Sequence, residues 1–263
     1  MFPFIEKEQQ TRKGKNKIIK SHYKFYYQSP SLEEKIPILL DVLYENHGYS
    51  KLIKKQIKNE LIITKDSFYE VTVPTIEAIL GDKLTAFAPY TTGIEFEYTN
   101  NKGELVEKQL EVAKQFLDVS KLIESAQDFN DIKTSYMNVV IQEINYRGLN
   151  IEPLDALTDT FNAALSIVSK GVFYKDYYRK ILNGIRRIQN HVFGITVNGE
   201  SVIPFASDVM LLCVRLMTNT KEIKLTDMPL FKGKEYRIIN AIKKIDAETF
   251  NKIAIAMELI KQK

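Results

Sequence analysis

Residues 74–89 read PTIEAILGDKLTAFAP, and at this stretch the chain changes character. Ile76, Ile79, Leu80, Leu84 and Phe87 recur at intervals of three and four, the period of one helix face. Pro74 stands near the first turn, where no backbone N–H is needed, and Pro89 ends the run. Downstream the same period returns and predicts helices over 105–125, 129–147, 153–169, 174–192, 204–218, 235–244 and 247–262. The first interruption spans Tyr90 to Glu104, where Thr-Thr-Gly and Asn-Asn-Lys-Gly flank a short IEFEY strand. GITVNG at 194–199 is a second, turn-bounded break. Upstream the period is two. In SHYKFYYQ (21–28) Tyr23, Phe25 and Tyr27 alternate with His22, Lys24 and Tyr26, and IPILLDVLYE (36–45) reads as a second, more deeply buried strand. ELIITKDSFYEVTV (60–73) is a third strand candidate.

The expected class is therefore α+β: a small mixed sheet packed by helices, followed by a mainly helical C-terminal region. The expected organisation is a basic extension over 1–20, a domain over 21–125 and a helical domain over 126–263. With 37 Lys+Arg against 33 Asp+Glu, the net charge of +4 permits a polyanionic partner without demanding one. A single cysteine, Cys213, forms no intramolecular disulfide, and its place in VMLLCVRLM predicts a buried thiol. No apolar run approaches the ~20 residues that span a bilayer, and the first residues lack the apolar core of a signal peptide. The expected location is cytoplasmic, with no membrane partner. His22, His47 and His191 lack zinc-site spacing, and no phosphate-loop, dinucleotide or nucleophile-elbow motif is present.

Four residues carry candidate chemistry. Asp41 interrupts the apolar run Ile36–Tyr44, where an ionised carboxylate is costly without compensation. It lies either on a solvent face or at a cleft as a metal ligand. Lys83 borders the apolar stripe of its helix, either snorkelling to water or offering a point charge to phosphate. Gly81, two residues earlier, weakens the helix by about 1 kcal/mol relative to alanine and hints at a close backbone approach. Lys114 and Asp118 stand at i, i+4 opposite the stripe Val112, Phe116, Val119 and Ile123, the spacing of a solvated salt bridge. YKDYYRKILNGIRRIQNH (174–191) forms a basic-aromatic helix that either binds nucleic acid or covers itself with snorkelled side chains.

SHYKFYYQS, ILLDVLYE, VPTIEAILGDKLTAFAPYTTGI, KQLEVAKQFLDVSKLIE and VIQEINYRGL occur in an order that resembles the AbiEii/AbiGii-type nucleotidyltransferases, the toxins of abortive-infection and related toxin–antitoxin systems. The similarity covers about residues 20–150, and GDKLTAFAP-x-TTGI is its most specific part. The resemblance implies a minimal polymerase-β-like fold that uses Mg²⁺ and NTP to transfer NMP to an RNA acceptor such as tRNA, with an antitoxin protein as partner. Matched position by position, Asp41 is the third metal-binding carboxylate and Lys83 the helix lysine at the phosphates. Lys114 and Asp118 form the later pair: the resemblance implies that Lys114 joins Lys83 in binding the nucleotide and that Asp118 orients Lys83 or Lys114. All four are expected to line one cleft. The forty residues before Asp41 hold neither the Gly-Ser nor the Asp-x-Asp of such enzymes, and no aspartate at all. This departure implies either a truncated transferase or a relative that acts as a non-catalytic binding module.

Overall fold

The structure, a computed structural model, describes residues 4–13, 19–58 and 69–261. It is α+β with a helical C-terminal region, and divides into two compact units after His47.

The first unit is a three-stranded antiparallel sheet in the order β1 (Glu6–Lys13), β2 (Ile19–Gln28), β3 (Lys35–Leu43). Much of the basic stretch expected as an extension is thus the strand β1. It forms because its short polar repeat can ladder against β2, and because Glu8 reaches Lys24 at 3.5 Å while Lys7 sits over the Tyr23 ring at 4.9 Å. The register places Tyr23, Phe25 and Tyr27 on one face with Ile38, Leu40 and Val42 of β3. Strand β3 is not the deeply buried one. It is an edge of the sheet, and Ile38, Leu39, Leu40 and Leu43 are all exposed.

In the second unit β4 (Leu52–Gln56) pairs with β5 (Glu70–Pro74), and β6 (Glu97–Thr99) with β7 (Leu105–Glu107). All described ladders are antiparallel, so the expected mixed sheet is resolved into three small ones. The strand expected over 60–73 is seen only from Glu70; residues 60–68 lie outside the described residues. Residues 105–107, expected to open a helix, instead close the β6–β7 hairpin.

The helices fall where the period placed them: α1 (Ile76–Ala86), α2 (Gln109–Ser125), α3 (Phe129–Arg147), α4 (Pro153–Val168), α5 (Lys175–Ile188, extended by a 3₁₀ turn to His191), α6 (Ile203–Thr218), α7 (Arg237–Ile242) and α8 (Ala247–Lys261). Thr75 caps α1, accepting from the N–H of Ala78 at 3.1 Å while donating to Asp131 at 2.6 Å, so one hydroxyl fixes the start of α1 against the start of α3. Gly81 lets these two helices touch. A Cβ there would stand 2.6 Å from the backbone nitrogen of Tyr136 and 2.9 Å from the Ile132 carbonyl oxygen. Helix α2 packs on α1 and α5, and α4 and α6 form the centre, burying Leu157, Phe161, Met210 and the Cys213 thiol. No helix among the described residues is long and apolar enough to cross a membrane.

Candidate functional site

Helices α1 and α2 bring Lys83, Gln115 and Asp118 together. The Lys83 ammonium donates to Asp118 Oδ2 at 2.9 Å and to Gln115 Oε1 at 3.0 Å. The i, i+4 spacing of Lys114 and Asp118 therefore does not make the bridge. Asp118 turns to α1 instead, and Lys114 is left exposed on α2. Lys83 and Asp118 each keep about a third of their side chains in contact with solvent (30% and 35%), which leaves the ammonium reachable by a ligand. Gln115, which sequence reasoning missed, is buried and gives no periodic signal that separates it from the apolar stripe. Asp82, next to Lys83, accepts from the Tyr49 hydroxyl at 3.0 Å. Burial raises its carboxyl above the ordinary range, against the pull of Tyr49 and Lys83.

Beyond Asp118 the same helix lines a cavity of about 500 Å³. Leu110, Leu117, Ile188, Val192 and Ile195 give it an apolar lining, and Glu111, Lys114, Asp118, Lys121 and His191 stand around it. The cavity exists because α5 approaches the first turn of α2 at Gly184 and then breaks into the 3₁₀ turn that carries His191.

Of the four candidates the structure joins Lys83 to Asp118 directly and sets Lys114 beside Asp118 on the cavity wall, while Asp41 belongs to the other unit. Its carboxylate is exposed and bonded to Nδ1 of His22, its cross-strand partner on β2. That answers the cost of a charge in an apolar strand: water and a histidine compensate it. Among the described residues no three His, Cys, Asp or Glu side chains are placed to hold a metal ion. The described residues do not fit the metal-binding half of a nucleotidyl-transfer site.

The basic-aromatic helix α5 is largely committed to structure. Lys180 is 13% exposed and pairs with Glu97 at 3.1 Å and Asp176 at 3.2 Å; Arg179 pairs with Asp176, and Arg187 with Glu107. Tyr177 donates to the buried Asp159 at 2.7 Å. Asp159 also accepts from the Tyr90 N–H and the Thr91 hydroxyl, both at 2.8 Å, while Thr92 donates to the Thr85 carbonyl. The segment APYTTGI is thus a buckle that closes the end of α1 onto α4 and α5. Asp159→Ala is expected to lower stability by about 2 kcal/mol, since three donors lose one buried acceptor. Urea denaturation checks this; a loss under about 0.5 kcal/mol would mean that water replaces the carboxylate without cost.

No protein family, curated protein or solved structure matches this chain.

Proposed function

We propose that this chain is a nucleotidyltransferase-like protein of the AbiEii toxin type. In this reading its helical unit supplies the lysine-bearing half of a site that moves an NMP unit from NTP to an RNA acceptor, with tRNA the first to test. The observation that carries the reading is the hold on Lys83 by Asp118 and Gln115 across two helices. A lysine whose ammonium is held by two acceptors, yet still partly open to solvent, is a preorganised point charge for a phosphate. Lys114, one turn from Asp118, adds a second cation on the same helix. A cytoplasmic location and an antitoxin partner belong to the same proposal.

A second reading, a non-catalytic binding module, is favoured by the lack of a metal-holding group among the described residues. Mg²⁺ ordinarily takes one or two carboxylates plus substrate phosphates, and Asp41 is engaged by His22. Micromolar, Mg²⁺-dependent NTP binding that is abolished by Asp41→Asn would remove this second reading.

One experiment separates the two. The full chain is incubated with α-labelled NTPs, Mg²⁺ and tRNA. Label on RNA that disappears in Lys83→Ala and Asp118→Ala supports the transferase. RNA retention without label, weakened by the same substitutions, supports the module. Neither label nor retention sinks both.

A further inference from the structure

We infer that a groove along α3 holds a free medium-chain fatty acid, with its carboxylate at Lys133. The groove lies between α3, the first turn of α4 and the end of α6, and encloses about 650 Å³. Met137, Ile141, Leu154, Leu157, Leu216 and Met217 give it an apolar wall, and none of the residues around Lys83 takes part in it. Met137, Ile141 and Leu154 are exposed although they are large and apolar. On α3 the positions Lys133, Met137 and Ile141 follow one another at i, i+4 and i+8, so they stand in one row along the helix with the cation at its start.

The polar groups on the wall narrow the ligand class by what they leave unfilled. The Tyr136 hydroxyl donates to the Pro153 carbonyl at 2.8 Å, and Glu152, exposed on the rim, belongs to the capping box that starts α4. Lys133 differs from both. Its bond is to the neutral amide oxygen of Asn219 at 2.7 Å, and among the described residues no carboxylate pairs with it. An ammonium has three donors, so a half-buried positive charge is left without an anion at one end of an apolar wall. The complementary ligand has one anionic end and an apolar body. A sugar or a nucleoside would instead set hydroxyls and amines against methyl and thioether groups, and each group left unbonded there weakens binding.

Size decides between such an acid and the helix of a partner protein. From Lys133 to Ile141 the row runs about 12 Å, eight residues at the helical rise, which is the reach of a medium acyl chain. The volume is that of a small-molecule site. A docked helix would lay little more than two turns along so short a row, well below the roughly 1,000 Å² that a specific protein interface buries. Met137 and Met217 also suit a flexible chain, since thioether side chains adapt to an irregular apolar surface.

The test is calorimetry on the full chain, with octanoate, 1-octanol and butyrate as separate titrants. Octanoate is expected to bind at least about tenfold more tightly than octanol, the worth of one charge-assisted hydrogen bond, and about a hundredfold more tightly than butyrate, whose chain buries fewer methylenes. Lys133→Gln should erase the preference over octanol while octanol itself still binds. Lys133→Arg, which keeps the charge, should retain the preference. Met137→Glu and Leu154→Glu each set a carboxylate on an exposed part of the wall, from α3 and from α4, and should abolish octanoate binding while the helical circular dichroism and thermal midpoint stay those of the parent. Octanoate binding no tighter than octanol, or unchanged in Lys133→Gln, overturns the assignment. Octanoate binding that survives both glutamate variants overturns it as well, by placing the ligand elsewhere. Sedimentation tests the rival occupant: a dimer of the ligand-free chain that Met137→Glu separates and octanoate leaves intact overturns the fatty acid in favour of a second copy. None of these outcomes depends on label transfer to RNA, so the groove and the transferase reading fail separately.

Discussion

Gly184→Ala is expected to cost the helical unit about 3 kcal/mol or more, the upper end of overpacking losses, and to disturb the cavity beside α2. Gly184 sits inside α5, where an alanine would ordinarily improve helix propensity by up to about 1 kcal/mol. Here the new Cβ would fall onto the carbonyl oxygen of Gln109, 2.7 Å from its carbonyl carbon and 2.9 Å from the Cβ of Ala113. Two of these atoms are backbone at the start of α2, so no rotamer relieves the contact and the helices must part. Their parting exposes Ile181, Ile185 and Val112, all now buried, and separates Leu117 from Ile188 across the cavity. Guanidinium denaturation measures the first effect. A variant within 1 kcal/mol of the parent would mean that α5 rides over α2 on a softer contact than the one described. Gly103→Ala is the control, since its left-handed φ of +79° carries a strain cost but no neighbour lies within 4 Å.

The contrast between Gly184 and Gly81 shows what a sequence can and cannot convey. Gly81 is conspicuous because it breaks an otherwise good helix pattern, and its reading as a close approach holds against α3. Gly184 sits in a polar-looking stretch, NGIRR, inside the helix predicted over 174–192, with nothing in the period to mark a close approach, and its partner lies 75 positions away (184 − 109). Helix positions were legible from the apolar period alone because each helix buries one stripe. The strands were less so. β1 looks like a tail because its side chains are polar on both faces, and β3 looks buried because its apolar residues occupy both faces of an edge strand. The pairing of Asp118 with Lys83, and not with Lys114, was also hidden. Intrahelical spacing offers a partner at i−4, and only the packing of α1 on α2 supplies the competing one.

Alkaline pH is expected to unfold the helical unit cooperatively between about pH 10 and 12. Four tyrosines use the phenol proton as the bonding proton. Tyr136, almost fully buried, donates to the Pro153 carbonyl at 2.8 Å; Tyr177 donates to Asp159, Tyr49 to Asp82 and Tyr90 to Asp176. Ionising any of them in place sets an anion against a carbonyl or a carboxylate. Burial, first, and then these acidic neighbours push Tyr49 and Tyr90 up to about 12, and burial raises Tyr136 and Tyr177 further still. An unfolded phenol ionises near pH 10. Because the folded values are raised, the stabilisation is complete below pH 10 and is lost as pH rises through the folded values, since the unfolded chain then binds fewer protons. Each fully buried phenol removes about 1.4 kcal/mol per pH unit in that window, and Tyr49 and Tyr90, half open to water, remove less. Tyr136 alone then removes about 3 kcal/mol over two units and the partly buried Tyr177 adds to it, a large share of a typical domain's 5–15 kcal/mol. Despite partial burial, Glu97 and Asp176 hold Lys180 above its ordinary value, so its pairs persist into the window. With 14 tyrosines and no tryptophan, absorbance at 295 nm reports phenolate directly. The expected record is a gradual rise from the exposed tyrosines, then a steep step that coincides with loss of helical circular dichroism. Phenolate formation that runs to completion while the helical signal persists would show that these four hydroxyls are open to water.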